Sequence, residues 1–290
     1  MLFLISGIAC NVILLIVLKS FKKFAVPAFP AIVVNYFVAG SFSLLFTTPK
    51  SVYLEATHLW LPAALLGILL VSVFYLISLT TEKIGVSAAS VANKMSVVIP
   101  VVIAFLIYGD SITWLKITGI VLALLSVIFV SSSDKKETNT PQQNFLLPTA
   151  LFVGSGIIDA LVNYVQKKIV HSDVETACLS GLFFFAAGTF GLLAFIFFYR
   201  EKKNIAIKKT LLAGIILALP NYFSIYFIMR AISSNIMQSS VLYPIINVSV
   251  VLGSTILAVL FFSEKLSFKN WMGIVLSVTA IALIAYSSYT

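Results

Sequence analysis

Two charged side chains stand inside apolar stretches, where their types and positions could support ligand binding or proton transfer. Lys94 lies in the segment 91–96 beside Asn93, and Asp159 follows an apolar run, with Asn163 one helical turn further on. An ammonium group attracts a carboxylate or phosphate, and a deeply placed aspartate attracts a cation or a proton. We therefore predict that Lys94 and Asn93 bind an anionic group of a ligand. Asp159 and Asn163 are predicted to bind or relay a cation.

Each of the two charges also has a structural explanation. A long lysine side chain can carry its charge to the edge of a membrane, and an aspartate can satisfy a buried hydrogen-bond donor. If both helices begin on the same side, a rise of about 1.5 Å per residue separates the two side chains by ~10 Å in depth. That difference argues against a direct contact between Lys94 and Asp159.

Further polar side chains in the apolar stretches are candidates for lining a ligand cavity. Pro220 and Pro244 each remove a backbone donor within a predicted helix and leave a carbonyl free, so polar residues near them are expected at the cavity. Besides the four residues above, the predicted ligand-binding residues are Asn221, Tyr222, Tyr243, Asn247, Asn35, Tyr36 and Asn11. Hydrogen bonds between helices explain the last three equally well.

The sequence patterns of catalytic and metal sites are absent. There is no nucleophile elbow, no His-Glu-x-x-His and no Gly-rich phosphate loop ending in Lys-Ser or Lys-Thr. The two histidines, His58 and His171, fall in separate predicted loops far apart. Cys10 and Cys178 lie in or beside apolar runs without metal-ligand spacing. We therefore predict no enzyme activity, no cofactor, no bound metal and no ATP-driven step within this chain.

Composition indicates a polytopic membrane protein. Hydrophobic residues make up 60% of the 290 and charged residues 10%, whereas a soluble domain has about 25% charged residues. The mean hydropathy is +1.09. The net charge of +9 is spread over several short loops, where basic residues set membrane orientation rather than bind nucleic acid.

The apolar sequence divides into ten runs, most of them near the roughly 20 residues that a spanning helix needs. They cover residues 2–18, 27–47, 59–80, 88–108, 113–131, 145–166, 175–199, 210–230, 235–262 and 268–288. The most polar stretch predicts a linker over 134–144, between a first repeat, 1–133, and a second repeat, 145–290. Five helices are an odd number, so the second half enters from the opposite face. We predict an all-α membrane protein with ten transmembrane helices in two inverted five-helix repeats.

A short sequence repeat supports this duplication. Gly119–Leu122 recurs as the identical Gly273–Leu276, each time at the same distance after an acidic residue, Asp110 or Glu264. The two acids are expected to cap the helices that follow them. Thirteen Lys or Arg residues lie in the odd-numbered breaks between runs, against five, Lys116 among them, in the even-numbered breaks. This bias predicts odd-numbered breaks in the cytoplasm and both termini outside.

Two five-helix halves, each with an acid followed by a Gly-led last helix, resemble the EamA-type transporters of the drug/metabolite transporter superfamily. The resemblance covers nearly the whole chain. It implies export or exchange of small metabolites such as amino acids, in a multi-pass protein of the cell membrane. The first run reads 8–12 as Ile-Ala-Cys-Asn-Val, where many members carry a Trp-Gly pair. The second run offers Asn35-Tyr36, where many members carry an early Arg. Many members also keep both ends in the cytoplasm, opposite to the charge count here.

We therefore expect a secondary transporter that works by alternating access through a central cavity between the two repeats. Its expected partners are a small-molecule substrate and the lipid bilayer, with no nucleic acid. Proton coupling through Asp159 is a hypothesis, and a homodimer remains open. The first alternative is a passive pore or a non-transporting membrane receptor. The second is a membrane-embedded lipid enzyme, which would need a cluster of His, Asp, Glu or Ser at one depth.

Overall fold

The computed structural model describes residues 1–49, 52, 55–83, 86–131, 146–198, 206–262 and 267–286, and they are helical apart from short turns. The α-helices are α1 (Leu2–Lys23), α2 (Ala28–Phe42), α3 (Trp60–Lys83), α4 (Val86–Met95), α5 (Val98–Ile107), α6 (Trp114–Ser131), α7 (Leu146–Lys168), α8 (Asp173–Phe198), α9 (Ile207–Ser233), α10 (Ser239–Phe262) and α11 (Phe268–Tyr286). A π-helical turn, Ser43–Thr47, extends α2, and a 3-10 turn, Thr57–Leu59, leads into α3.

The apolar helices match the ten runs of the sequence. Seven helical segments in the described chain are long and apolar enough to cross a membrane: α1, α2 with its π turn, α3, α7, α8, α9 and α10. Three shorter apolar segments cover Val91–Ile107, Trp114–Phe129 and Phe268–Ile284. The described chain is thus all-α, with helices whose length and composition suit a bilayer.

The helices form two compact units. Unit 1 comprises Met1–Val71 and Tyr164–Ser234, and unit 2 comprises Ser72–Asn163 and Asn235–Thr290. Each unit takes helices from both halves of the sequence. The predicted linker 134–144 and the predicted cap Glu264 lie outside the described residues.

In unit 1, α2 packs against α8 and α9, and α9 packs against α1. Close approach of α2 and α8 depends on glycine. A Cβ added to Gly40 would lie 2.9 Å from the backbone nitrogen of Phe185 and 3.0 Å from the carbonyl oxygen of Gly181. Small residues at such crossings let membrane helices gain van der Waals contact without a hydrophobic driving force between them.

In unit 2, the two helices that carry the repeated sequence pack against each other. Gly119 lies on α6 and Gly273 on α11, and these two helices form the most extensive helix pair of the described chain. A Cβ added to Gly119 would collide with the side chain of Ile284 on α11. The glycine of the first copy, Gly119, therefore permits close packing of α6 against α11. The helix α10 also contacts α5, α6 and α11.

The fourth apolar run, predicted as one helix over 88–108, is broken. It forms α4 and α5, separated by a turn at Ser96 and Val97. Pro100 has no amide hydrogen to bond the carbonyl of Ser96, and its ring crowds that position. The Ser96 carbonyl instead accepts from the amide of Ile99 at 2.9 Å, in a tighter i→i+3 turn. Hydropathy is continuous across the break and gave no sign of it.

The ninth run also begins later than predicted. Asn235 has a positive φ of 47°, which ends the helical path after α9, and asparagine tolerates this left-handed conformation better than most residues. The helix α10 then starts at Ser239 rather than at 235. Residues 235–238 are therefore a connecting turn, and Gln238 in that turn contributes to the site described below.

Candidate functional site

The predicted residues Asp159, Asn163 and Tyr243 come together where α7 faces α10 in unit 2. Ser239 Oγ donates a hydrogen bond to Asn163 Oδ1 at 3.3 Å. One turn later in α10 and one turn earlier in α7, the Tyr243 hydroxyl donates to the backbone oxygen of Asp159 at 2.8 Å. The spacing of four residues on each helix puts both bonds on one face. This pair of bonds fixes the α7 face that carries Asp159 and Asn163.

Lys94 lies in the same unit, and its charge acts on Asp159. The ammonium of Lys94 and the carboxylate of Asp159 are near enough to interact electrostatically. Within the described parts of the chain, no direct ion pair of 4.0 Å or less joins them. Both side chains are half-buried. The two opposite charges therefore interact without forming a direct ion pair.

The helix break positions Lys94. The residue lies in the last turn of α4, where unpaired carbonyl groups and the helix dipole favour a cation. Ser96 Oγ donates to the carbonyl oxygen of Asn93 at 2.6 Å and satisfies one of those terminal carbonyls. Asn93 itself is half-buried next to Lys94. Broken helices of this kind place backbone dipoles and polar side chains at membrane depth.

Two further polar groups near this face have unused hydrogen-bonding capacity. Asn163 is 0% exposed, and its Nδ2 donor has no partner among the described residues. The same holds for the hydroxyl of Ser240, in the first turn of α10. Buried polar groups are usually paired, so an unpaired donor one helical turn from Asp159 is suited to a polar ligand. The Tyr243 hydroxyl also lies within electrostatic reach of Tyr108, at the end of α5.

A second polar cluster in unit 2 ties the segment before α6 to the start of α10. Lys116 is 0% exposed. Its ammonium donates to Gln238 Oε1 at 2.5 Å and to the carbonyl oxygen of Ser111 at 2.5 Å. It also lies 5.8 Å from the ring centre of Phe105. Sequence analysis assigned Lys116 to a loop; it is instead a buried, fully engaged charge in the first turn of α6.

The predicted cap Asp110 acts on a different helix from the one expected. Its carboxylate accepts from the backbone amide of Ser240 at 2.8 Å and therefore caps α10. At the start of α6, the following helix, the amide of Lys116 donates to Thr113 Oγ1 at 3.3 Å. The expectation that Asp110 caps the next helix was wrong, because residues 109–113 extend toward α10.

The other predicted ligand-binding residues lie on α10 of unit 2 or in unit 1. Asn247 is half-buried on α10, one turn beyond Tyr243. Asn221, Tyr222, Asn35, Tyr36 and Asn11 belong to unit 1. Tyr222 is 0% exposed, and its hydroxyl bonds Thr47 Oγ1 at 2.9 Å and Ser43 Oγ at 3.4 Å, at the π-helical turn. Tyr36 is buried beside the ring of Phe184, with centroids 6.0 Å apart.

Tyr222 and Asn35, both in unit 1, differ in whether their polar atoms have hydrogen-bond partners. Asn35 is buried, and its Oδ1 has no partner within the described chain. Asn221 and Asn11 are half-buried. Tyr222 is fully engaged with the π turn, which favours a packing role, whereas Asn35 retains an acceptor for a further partner.

Sequence analysis missed Ser239, Tyr108 and Gln238. Ser239 lies four residues before Tyr243, so its position on the same helical face was available from spacing alone. Gln238 and Tyr108 were placed inside the predicted runs 235–262 and 88–108 but lie at helix ends in the structure. Their roles depend on which helix ends meet, and spacing within one helix does not reveal that.

The two histidines, predicted far apart, are neighbours in unit 1. The rings of His58 and His171 have centroids 6.0 Å apart. His58 Nε2 lies 3.7 Å from Glu175 Oε2, which also accepts from the backbone amide of His171 at 2.7 Å. Among the described residues, no group of three His, Cys, Asp or Glu side chains is arranged to hold a metal ion.

Comparison with known proteins agrees with this architecture. The model of the EamA-like transporter family matches residues 1–132 and 147–286. An uncharacterized protein of Haemophilus influenzae is 27% identical over 290 residues, which is 98% of this chain and 97% of that protein. A solved structure, described only as the crystal structure of a protein, superposes with a TM-score of 0.78 at 15% identity. It covers 99% of this chain and 96% of that one, and at that identity it supports the fold alone. Because the family match spans both halves, the chain is an integral, multi-pass membrane protein that belongs to the EamA-like transporter family.

Proposed function

We propose that this protein is a secondary transporter of small zwitterionic metabolites such as amino acids, and that it works by alternating access. The observation that carries the proposal is the Lys94–Asp159 arrangement. The two charges come from different halves of the sequence, are half-buried in one unit and interact without a direct ion pair. A charge inside a membrane span is costly, so its retention points to function.

The chemistry of the site suits a ligand that carries both signs of charge. The Lys94 ammonium would receive the substrate carboxylate, and the unpaired Asn163 Nδ2 would add a neutral donor. The Asp159 carboxylate would receive a cation. That cation is either the substrate's own ammonium group or a coupling proton. In the first case one zwitterionic substrate pairs with both Lys94 and Asp159. In the second case an anionic substrate binds Lys94 and is transported together with a proton carried by Asp159.

The helix packing supports an inverted pair of repeats. The helices that carry the repeated Gly-led segments, α6 and α11, pack against each other. The preceding helices of the two halves, α5 and α10, also contact each other. Such pairing of equivalent helices is what a pseudo-two-fold axis in the membrane plane produces. With no ATP-binding motif in the sequence, an ion or solute gradient would drive the cycle.

Uptake by proteoliposomes tests the proposal. The full chain would be offered a mixed pool of amino acids, nucleosides, sugars and organic acids, and the lumen would be read by mass spectrometry. We expect entry of one or more amino acids above empty-liposome levels. Lys94→Met should reduce uptake about 10- to 100-fold, because a hydrogen bond to a charged group is worth about 1.5–3 kcal/mol. Lys83→Met and Glu55→Gln, both at exposed positions, are matched controls that should leave uptake unchanged.

Substrate analogues separate the roles of the two charges. A methyl ester lacks the carboxylate, so wild type should prefer the free amino acid and Lys94→Met should lose that preference. An N-acetyl derivative lacks the ammonium, so wild type should prefer the free amino acid to this derivative. If Asp159 binds the substrate ammonium, Asp159→Asn should lose that preference. If Asp159 instead carries the coupling proton, Asp159→Asn keeps that preference but no longer responds to an imposed pH gradient. Unchanged uptake in both single variants would refute the assigned site.

Two controls keep the result interpretable. The double variant Lys94→Met/Asp159→Asn removes both charges, so it should fold at least as well as either single variant while remaining inactive. Wild type that binds an amino acid but never accumulates it would favour a receptor. Uptake of every pool member without saturation would favour a passive pore.

A further inference from the structure

A groove in unit 1 combines an apolar interior with a basic rim. It encloses about 320 Å³ between the end of α1 and the start of α9. Its lining residues are Val17, Ser20, Phe21, Phe24, Val26, Lys209, Leu212, Ala213 and Ile216. Phe21 and Ala213 are buried and form the floor of the groove. Phe24 is 60% exposed and Leu212 is 59% exposed, and these two side chains form its walls. The groove therefore opens outward from the helix pair.

The chain direction at the groove is set by an unusual turn. Ala25 has a φ of 52°, in the left-handed region that alanine rarely adopts. The turn sends the chain away from α1 immediately after Phe24, and Phe24 and Val26 on either side of Ala25 both line the groove. The end wall of the groove is thus built by the residues on either side of a left-handed turn.

Two polar side chains line the groove, Ser20 and Lys209. The Ser20 hydroxyl donates to the carbonyl oxygen of Val17 at 2.6 Å, so it is already engaged. The Lys209 ammonium remains as the charged group of the lining, and Lys208 beside it is exposed, as is Lys23 at the end of α1. Neither α1 nor α9 contains an Asp or Glu. An acyl chain suits the apolar floor, and an anionic headgroup suits the rim.

The position of the groove fits the headgroup level of a bilayer. Both helices are long and apolar enough to span, and the groove lies at the end of one span and the beginning of the other. Basic residues at span ends mark the cytoplasmic side, where the leaflet carries anionic lipids. Basic pockets between spanning helices are known forms of lipid recognition.

We propose that this groove binds one anionic phospholipid, with an acyl chain over Phe21 and Ala213 and the phosphate at Lys209. This site rests only on the protein's place in the membrane and is independent of the proposed substrate. The neighbouring Lys23 and Lys208 add attraction at the rim. Lipid bound here would be exchanged slowly with the surrounding bilayer, because it satisfies both the apolar floor and the basic rim.

Native mass spectrometry of the detergent-solubilised full chain tests the site. The protein would be titrated with phosphatidylglycerol, with phosphatidylcholine of the same acyl chains, and with soluble glycerol phosphate. We expect one tightly retained phosphatidylglycerol, weaker retention of phosphatidylcholine and no retention of glycerol phosphate. Lys209→Met should weaken phosphatidylglycerol binding about fivefold, the effect of one lysine near a headgroup. Lys168→Met, an exposed lysine of the same unit, is the matched control and should have no effect.

A second variant tests the apolar floor without removing charge. Ala213→Leu fills the groove, so it should weaken binding of both lipids while leaving the preference for phosphatidylglycerol. Equal retention of the two lipids by wild type would overturn the proposal. So would equal effects of Lys209→Met and Lys168→Met. Retention of glycerol phosphate as tight as that of the lipid would assign the rim to a free phosphate ester instead.

Discussion

Replacing Gln238 with leucine should destabilise unit 2 more than replacing its partner Lys116 with methionine. The two side chains share one hydrogen bond, but they differ in their surroundings. The Lys116 side chain is fully buried, whereas Gln238 and Ser111, which supply its acceptors, are exposed. Removing the Gln238 acceptor leaves the buried Lys116 ammonium with one hydrogen bond fewer. Losing the charge leaves acceptors that water can reach.

The magnitudes follow from that asymmetry. Gln238→Leu removes one of the two short acceptors of a buried ammonium, and a hydrogen bond to a charged group is worth about 1.5–3 kcal/mol. We expect a loss of about 2 kcal/mol. Lys116→Met removes the same bond but also the cost of burying the charge, several kcal/mol in principle. Its net cost should stay below about 1 kcal/mol, since methionine keeps the apolar contact with Phe105.

Thermal unfolding of the detergent-solubilised protein at one fixed scan rate measures these differences. For a domain of this size, about 1 kcal/mol shifts the apparent Tm by roughly 2–4 °C. Gln238→Leu should therefore lower the apparent Tm by about 4–8 °C and Lys116→Met by less than about 4 °C. The double variant should resemble Lys116→Met, because the stranded charge is gone.

Two results would refute this reasoning. Equal costs for the two single variants would mean that Lys116 is not held in a desolvated environment. Additive costs in the double variant would mean that the two residues do not interact, since contacting residues show coupling and independent ones do not.

Two further predictions concern packing and surface charge. Gly156→Ala should destabilise the protein by about 1–3 kcal/mol, because the new Cβ would lie 2.6 Å from Ile99 Cβ on α5. At an exposed helical position a Gly→Ala change would stabilise instead. A raised apparent Tm would therefore contradict the close packing of Gly156 against Ile99. Asp173→Asn should cost less than 1 kcal/mol, since Asp173, the ion-pair partner of Arg230, is 67% exposed. Arg230→Ala should cost about 1–2 kcal/mol in the same unfolding assay, because Arg230 is 16% exposed and stacks 4.8 Å over Phe3; equal losses for the two changes contradict that ranking.

The helices could be predicted from the sequence because a bilayer fixes their length and composition. Each of the ten apolar runs corresponds to an apolar helical segment of the described chain. The break after Met95 was missed because hydropathy is continuous from Val91 to Ile107. Pro100 is visible in the sequence, yet its effect depends on how the freed Ser96 carbonyl is satisfied, here by a tighter turn. Local bonding, rather than composition, decides between a kink and a break.

The sequence suggests candidate residues but not their grouping. Polar residues stand out in apolar runs, so Lys94, Asp159 and Tyr243 could be proposed by type, and their role in binding stays a prediction. That they share a unit depends on helix pairing, which periodicity within a run does not reveal. The depth estimate placed Lys94 and Asp159 about 10 Å apart along straight helices, and the break beside Lys94 removes that assumption.

The contrast among three basic residues of these helices supports our proposal that Lys94 binds substrate. A charge kept for packing should be engaged by fixed partners. Arg230 meets this expectation through Asp173 and the ring of Phe3, and Lys116 meets it through Gln238 and Ser111. Lys94 has no hydrogen bond or direct ion pair with any described residue, although Asp159 lies within electrostatic reach. A snorkelling lysine would place its charge in water and would not need a carboxylate nearby. Lys94 is instead half-buried, with an opposite charge near it but not in contact, which is the arrangement that a charged substrate can complete.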